Sequence, residues 1–209
     1  MNTELGLRER KKQRTRETIA SAARELFAER GYHATTLPEI AAAADVSTRT
    51  IFAYFPSKED ILFSDFPLMQ EALAQALADR PEGVEALVTV REFILSTVGR
   101  ERSEVDEQLG RCVHDDETLR SHLRARIAQL EEVIAPAIAK DLGVPEDDFR
   151  PQLVAACLTA AFNVLTERGE GPSGKRKTTE EVAAEIDPVI TFLRGGLDAL
   201  KEPRTTRRR

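Results

Sequence analysis

Thr48, Arg49 and Thr50 stand together in the stretch VSTRTIFAYFPSKEDIL, Val46 to Leu62. A guanidinium can bond guanine O6 and N7 at once, and threonine offers a hydroxyl together with a methyl that suits thymine. Tyr54 and Lys58 follow with a phenol and an ammonium, groups suited to phosphate oxygens. A second group, Arg111, Cys112, His114, Asp115 and Asp116, has the residue types for thiolate or metal chemistry. It reads more simply as one helix end, with the Asp pair leading into the cap of the next. His122 lies further on, and His33 precedes a double threonine in a loop. There is no glycine-rich phosphate loop, nucleophile elbow or shaped pair of carboxylates. No catalytic residues, metal or cofactor are therefore expected, and an enzyme reading has no constellation behind it.

The elements that must position these groups are helical. Ile19, Ala22, Ala23, Leu26 and Phe27 repeat as one helix face, with Gly31 as its stop. Thr36 stands three before Glu39, the spacing of a capping box, and opens a short helix to Ala44, followed by a turn at Asp45 and Val46. Ser47 caps a third helix, Thr48 to Tyr54, with Ile51, Phe52 and Phe55 inward and Pro56 preventing its continuation. Ser57 opens a fourth, expected to run to Leu77 with a kink at Pro67. Further helices follow around Leu87 to Val98, Val105 to Leu109, Leu119 to Ile138, Phe149 to Glu167 and Thr179 to Leu200. This periodicity predicts an all-α chain of about nine helices.

At 209 residues, 41% hydrophobic and 32% charged, the chain is long enough to bury a sizeable core. Two distant cysteines, Cys112 and Cys157, argue against a disulfide framework and suit a reducing cytoplasm. No run approaches the roughly 18 apolar residues of a membrane span, so no membrane partner is expected. The net charge of -6 hides its distribution: residues 1–16 carry six Lys/Arg against two Glu, while the remainder carries 24 basic and 34 acidic residues. The last residues, PRTTRRR, are basic again, and RGEGPSGKRKTTEE reads as a loop between the final two helices.

Two short helices joined by a tight turn, the second opening on Thr48, Arg49 and Thr50, have the pattern of a helix-turn-helix whose second helix enters the major groove. Thr36, Tyr54 and Lys58, with the basic arm of Arg8, Arg10, Lys11, Lys12 and Arg14, are the expected phosphate contacts. The arm would follow the backbone or enter the minor groove. A helical hairpin that meets protein instead of DNA is the alternative of a different class.

The run RTRETIASAARELFAERGYHATTLPEIAAAADVSTRTIFAYFPSKEDIL resembles the DNA-binding domain of the tetracycline-repressor (TetR) family of bacterial transcription regulators. The matching features are A-x-x-L-F, G-Y-x-x-T-T, I-A, V-S-x-x-T-I-F-x-Y-F and S-K-E-D-I-L. The resemblance implies base contacts at Thr48, Arg49 and Thr50 and phosphate contacts at Thr36, Tyr54 and Lys58. Ala53 departs from the bulkier or polar residues often found at its position. The implied organisation is an arm and helix-turn-helix domain at 1–56, a helical effector-binding and dimerisation domain at 57–203, and a basic tail at 204–209. The implied function is a ligand-responsive repressor, or an activator of the same fold, that sits on a palindromic operator as a homodimer.

In that family the last two helices pair with their copies. The implied seam is Ala156, Cys157, Ala160, Ala161, Ile190, Leu193 and Leu197. Low aromatic content, 5% with no tryptophan, favours an aliphatic effector cavity over an aromatic cage. The segment LRARIAQLEEVIAPAIAKDLGVPEDDFRPQLVAACL is loosely similar to actinobacterial family members, some of which answer to fatty-acyl or other apolar ligands. Candidate lining residues, from position, are Phe66, Met69, Phe93, Leu109, Arg111, Cys112, Leu123 and Phe162. Ligand entry would move the helix from Ser57 to Leu77 as a lever.

Overall fold

A computed structural model describes residues 6–98, 103–167 and 177–201. Of the expected basic loop at 168–181, residues 168–176 lie outside the described residues, as does the tail at 204–209. Eleven helices and no strand are present among those described. They divide into two compact units, Met1–Asp65 with Arg102–His122, and Phe66–Glu101 with Leu123–Arg209.

The first unit contains α1 (Leu7–Arg30), α2 (Leu37–Ala43), α3 (Thr48–Tyr54), α4 (Lys58–Leu62) and α7 (Glu104–Asp115). Helix α1 packs against α2, α4 and α7, and α2 against α3. Ile19, Ala23, Phe27, Ile40, Ile51, Phe55, Ile61 and Leu109 share one core. Gly31 ends α1 at φ 86°, a conformation that suits glycine, and its N–H bonds Phe27 O at 2.9 Å. The turn after α2 places Asp45 at φ 52°, a left-handed conformation that Asp tolerates better than most residues.

The second unit contains α5 (Phe66–Ala78), α6 (Ala86–Val98), α9 (Glu131–Leu142), α10 (Phe149–Glu167) and α11 (Thr179–Lys201). Its core joins Leu73 and Leu77 to Leu87, Ile134, Ile138, Leu158 and Ile186. Helix α8 (Glu117–Gln129) crosses the division between the units at His122 and Leu123.

Three expectations change. The helix from Ser57 to Leu77 is two helices, α4 and α5, separated at Phe63–Asp65. Pro67 has no N–H to bond Phe63 O, and its ring would meet that carbonyl, so the chain stops and restarts with proline in the first turn of α5. The run from Leu119 to Ile138 also breaks, at Leu130. There Leu130 N bonds Ile127 O and Val133 N bonds Leu130 O, both at 3.0 Å and both three residues back instead of four. These two breaks account for eleven helices where about nine follow from periodicity. Finally, the linear division after Pro56 gives way to a discontinuous one, because α4 and α7 both pack on α1.

Candidate nucleic-acid interface

Helix α3 is short, and its start is held by its own side chains. Ser47 accepts a hydrogen bond from Thr50 N–H at 3.0 Å, and its hydroxyl lies 2.8 Å from that of Thr50. The Thr50 hydroxyl is thus tied to the cap. Ile51 and Phe55 anchor the helix at 0% and 1% exposure. At the other end, the Arg16 guanidinium donates to Tyr54 O at 3.1 Å and covers the Phe55 ring at 4.3 Å. A cation at a helix carboxyl terminus also complements the dipole. Arg16 was not legible as a positioning residue, since its partner lies 38 positions away.

What α3 presents outward is Arg49, Phe52 and Ala53, with Thr48 and Thr50 half-buried. Among the described residues Arg49 has no ion pair. Phe52 corrects an expectation: it is 55% exposed, because Ile51 and Phe55, four apart, take the inward face and Phe52 falls outside it.

Beside α3 runs a groove of about 680 Å³, lined by Leu7, Arg8, Lys11, Lys12 and Thr15 of α1 and by Ala53 and Tyr54 of α3. Arg8, Lys11, Lys12 and Thr15 follow a helical spacing, so one face of α1 forms a basic wall opposite the Tyr54 side. Arg10 and Arg14 are exposed as well. The described arm is thus helical from Leu7. A helix about 10–12 Å across does not fit a minor groove about 6 Å wide, so of the two expected roles the backbone one suits this arm.

Two expected phosphate contacts are engaged inside the unit. Lys58 Nζ donates to Tyr32 O at 2.8 Å and to Thr35 O at 3.0 Å, and sits 4.1 Å from the Tyr32 ring centre. It ties α4 to the loop between α1 and α2. The Thr36 hydroxyl completes a capping box, donating to Glu39 at 2.8 Å while Glu39 N–H bonds it in return. That hydroxyl bond, with the backbone N–H of Thr36, holds the Glu39 carboxyl below its usual range.

Around these helices a polar frame fixes the unit. Tyr32 donates to Glu59 at 2.6 Å; burial first, and then that carboxylate, push the phenol well above its ordinary range. Arg24 pairs with Asp65 and Asp106, linking α1 to the end of the first unit's opening segment and to α7. His33 pairs with Asp116, whose other oxygen accepts Leu119 N–H at 3.0 Å and caps α8. The Cys112 to Asp116 stretch is therefore a helix end and a cap. No group of three metal-ligating side chains occurs among the described residues.

This geometry matches known proteins along the chain. Residues 19–64 match the family model for bacterial regulatory proteins of the tetR family, and residues 84–189 match the MftR C-terminal domain. A curated relative, the HTH-type transcriptional regulator TcmR of Streptomyces glaucescens, is 34% identical over 171 residues, spanning 77% of this chain and 75% of that one. The chain belongs to the TetR family. A second relative is the putative mycofactocin biosynthesis transcriptional regulator MftR of Mycobacterium tuberculosis, 29% identical over 198 residues, which cover 92% of this chain and 96% of that one. Among solved structures, Thermus thermophilus FadR, a TetR-family repressor in complex with lauroyl-CoA, superposes with a TM-score of 0.57 at 26% identity, covering 93% of this chain and 98% of that one. This TetR-family chain is a ligand-responsive, DNA-binding transcriptional regulator; its relatives are regulators and not enzymes.

The expected effector residues fall in both units. Leu109 is part of the first unit's core and Cys112 packs against it, while Arg111 is exposed. Phe66, Met69, Phe93, Leu123 and Phe162 belong to the second, where Phe93 packs on the core. Of the residues expected at a seam, Ile190, Leu193 and Leu197 are buried in the chain's own core, facing neighbours already present. Ala156 and Ala161 are half-buried, and Cys157 and Ala160 exposed. No helix among the described residues is long and apolar enough to cross a membrane.

Proposed function

We propose that this regulator is a homodimeric repressor that sits on a palindromic operator and leaves it when a small apolar, fatty-acyl-like ligand enters the second unit. The observation that carries the reading is the exposed surface of α3 and the α1 groove: a free Arg49 beside a basic wall has the chemistry for base edges and phosphates together. Arg49, Thr48 and the methyl of Thr50 read bases, the Thr50 hydroxyl being held by the Ser47 cap, while Arg8, Lys11, Lys12 and Tyr54 hold one phosphate strand, with Arg10 and Arg14 adding charge.

Dimerisation is supported by apolar residues that stand exposed among those described. On α10, Phe149, Leu153, Cys157, Ala160 and Val164 are exposed along one stripe, and on α11 Pro188, Phe192, Gly195 and Ala199 form another. Phe192 is 77% exposed. A second copy laid against these stripes would bury them, and twofold symmetry would match a palindromic site. The α11 side of the seam is therefore Phe192 and its neighbours instead of Ile190, Leu193 and Leu197.

The fatty-acyl reading draws support from the lauroyl-CoA bound to the Thermus thermophilus protein and from the low aromatic content. A ligand shifts the operator equilibrium only by its preference for the released conformer. Since α4 and α5 are separate helices, its effect reaches α4 through the Phe63–Asp65 turn and not along one rod.

Binding of the full chain to the DNA upstream of its own gene, measured over a salt series, tests the reading. Arg49→Ala abolishes site-specific binding, and each of Lys11→Ala and Lys12→Ala lowers the salt slope by about one. Native mass spectrometry reports the dimer, and Phe192→Asp yields monomer. Binding to that DNA untouched by Arg49→Ala would refute it, as would lauroyl-CoA leaving the complex intact.

A further inference from the structure

We propose that Phe52 is a specificity-determining residue that reads a thymine methyl group in the major groove; the proposal rests on the operator-binding reading above. Helix α3 places Arg49, Phe52 and Ala53 at i, i+3 and i+4, and all three are exposed. The helix does not need Phe52 for its own anchoring, since Ile51 and Phe55 supply that at 0% and 1% exposure against 55% for Phe52. A phenyl ring cannot hydrogen-bond a phosphate, so the phosphate-gripping role open to Tyr54 is closed to it. In the major groove the apolar feature is the C5-methyl of thymine, which a phenyl ring meets well.

Position follows from the spacing. Side chains three apart on a helix have Cβ atoms about 5–6 Å from one another, and bases in one strand are about 3.4 Å apart. The thymine met by Phe52 therefore lies one or two base pairs from the base met by Arg49. Ala53, small and exposed beside them, leaves room for the ring to approach the groove floor.

The test starts from in vitro selection of duplex DNA with the full chain. Each thymine of the selected site is then replaced by deoxyuridine, which removes the methyl and nothing else, and affinity is read by fluorescence anisotropy. For the wild type, one thymine per half-site responds, with a loss of about fourfold for one half-site and about fifteenfold for both, as expected for one buried methyl each. Phe52→Ala shows no further loss at that thymine, and Phe52→Leu keeps part of the preference. Circular dichroism of both variants shows an unchanged fold, because the side chain is exposed.

Three results overturn the proposal: no deoxyuridine response in the wild type, a response that persists undiminished in Phe52→Ala, or a uniform loss in that variant on all sequences, which would place the ring on sugar and phosphate. Failure to select any sequence would instead sink the operator-binding reading on which the proposal stands.

Discussion

Arg80→Ala destabilises the second unit far more than an ordinary ion-pair deletion. The guanidinium side chain is 9% exposed and its partner Asp141 14%. Arg80 donates to Val84 O at 3.1 Å, Leu77 O at 2.9 Å, Ala137 O at 3.1 Å and Asp141 at 2.6 Å. The other Asp141 oxygen accepts Ala86 N–H at 2.6 Å. One side chain thus closes the end of α5, the loop before α6 and the middle of α9. Alanine leaves three carbonyls without this donor and a carboxylate without its cation. Breaking a buried pair in this way costs about 3–5 kcal/mol. For a chain of this length each kcal/mol lowers Tm by about 2–4 °C, so the variant melts roughly 6–20 °C lower. Urea denaturation followed by circular dichroism gives the free energy directly. Arg30→Ala is the control. It loses only the 3.2 Å pair with Glu39, whose side chains are 53% and 41% exposed, and costs under about 1 kcal/mol. If the two variants lose the same stability, the argument that burial makes the Arg80 network strong is refuted.

Three further outcomes follow from the geometry. Lys58→Met lowers stability by about 2 kcal/mol in urea denaturation, since Tyr32 O and Thr35 O lose a charged donor; unchanged stability with weakened DNA binding would return Lys58 to a phosphate role. Ser47→Ala costs about 1 kcal/mol of thermal stability through the lost cap of α3, and weakens site-specific DNA binding with it. The Asp148 carboxyl, bonded by the Arg150 side chain and then by its backbone N–H, titrates at about 2 in an NMR pH series, below the ordinary 3.8. Its folded value is depressed, so its contribution is present above pH 3.8 and disappears as pH falls through about 2. In Arg150→Ala the midpoint moves back up part of the way, the backbone N–H remaining; no movement would remove the assigned cause.

Much of the first unit was legible because its signals are local. Ser47, Thr36 and Ser57 cap the helices that follow them through bonds to residues three positions on, and each bond is in place. Gly31 ends α1, and Thr48–Tyr54 has the bounds that Ser47 and Pro56 imply. The extents of α10 and α11 follow from their apolar repeats in the same way. The family motifs lie in this local grammar too, which is why Thr48, Arg49 and Thr50 were found on a short capped helix. By itself, then, the sequence determined that the chain is all-α, where most helices begin and end, and which family its amino-terminal module resembles.

Tertiary structure decided which groups remain available. Phe52 and Ile51 are neighbours with similar apolarity, and only packing against α1 and α2 shows that one is buried and the other presented. Lys58 suits a phosphate by type, yet carbonyls 26 and 23 positions away take its ammonium. Ile190, Leu193 and Leu197 have the spacing of a seam, and the chain's own core covers them. The break at Leu130 carries no proline or glycine to announce it, and α7 joins the first unit through contacts with a helix some eighty residues earlier. The physical reason is common to all of these. Caps and stops act within one turn of chain, where spacing is readable, whereas burial and partner choice depend on residues that sequence order keeps apart and folding brings together.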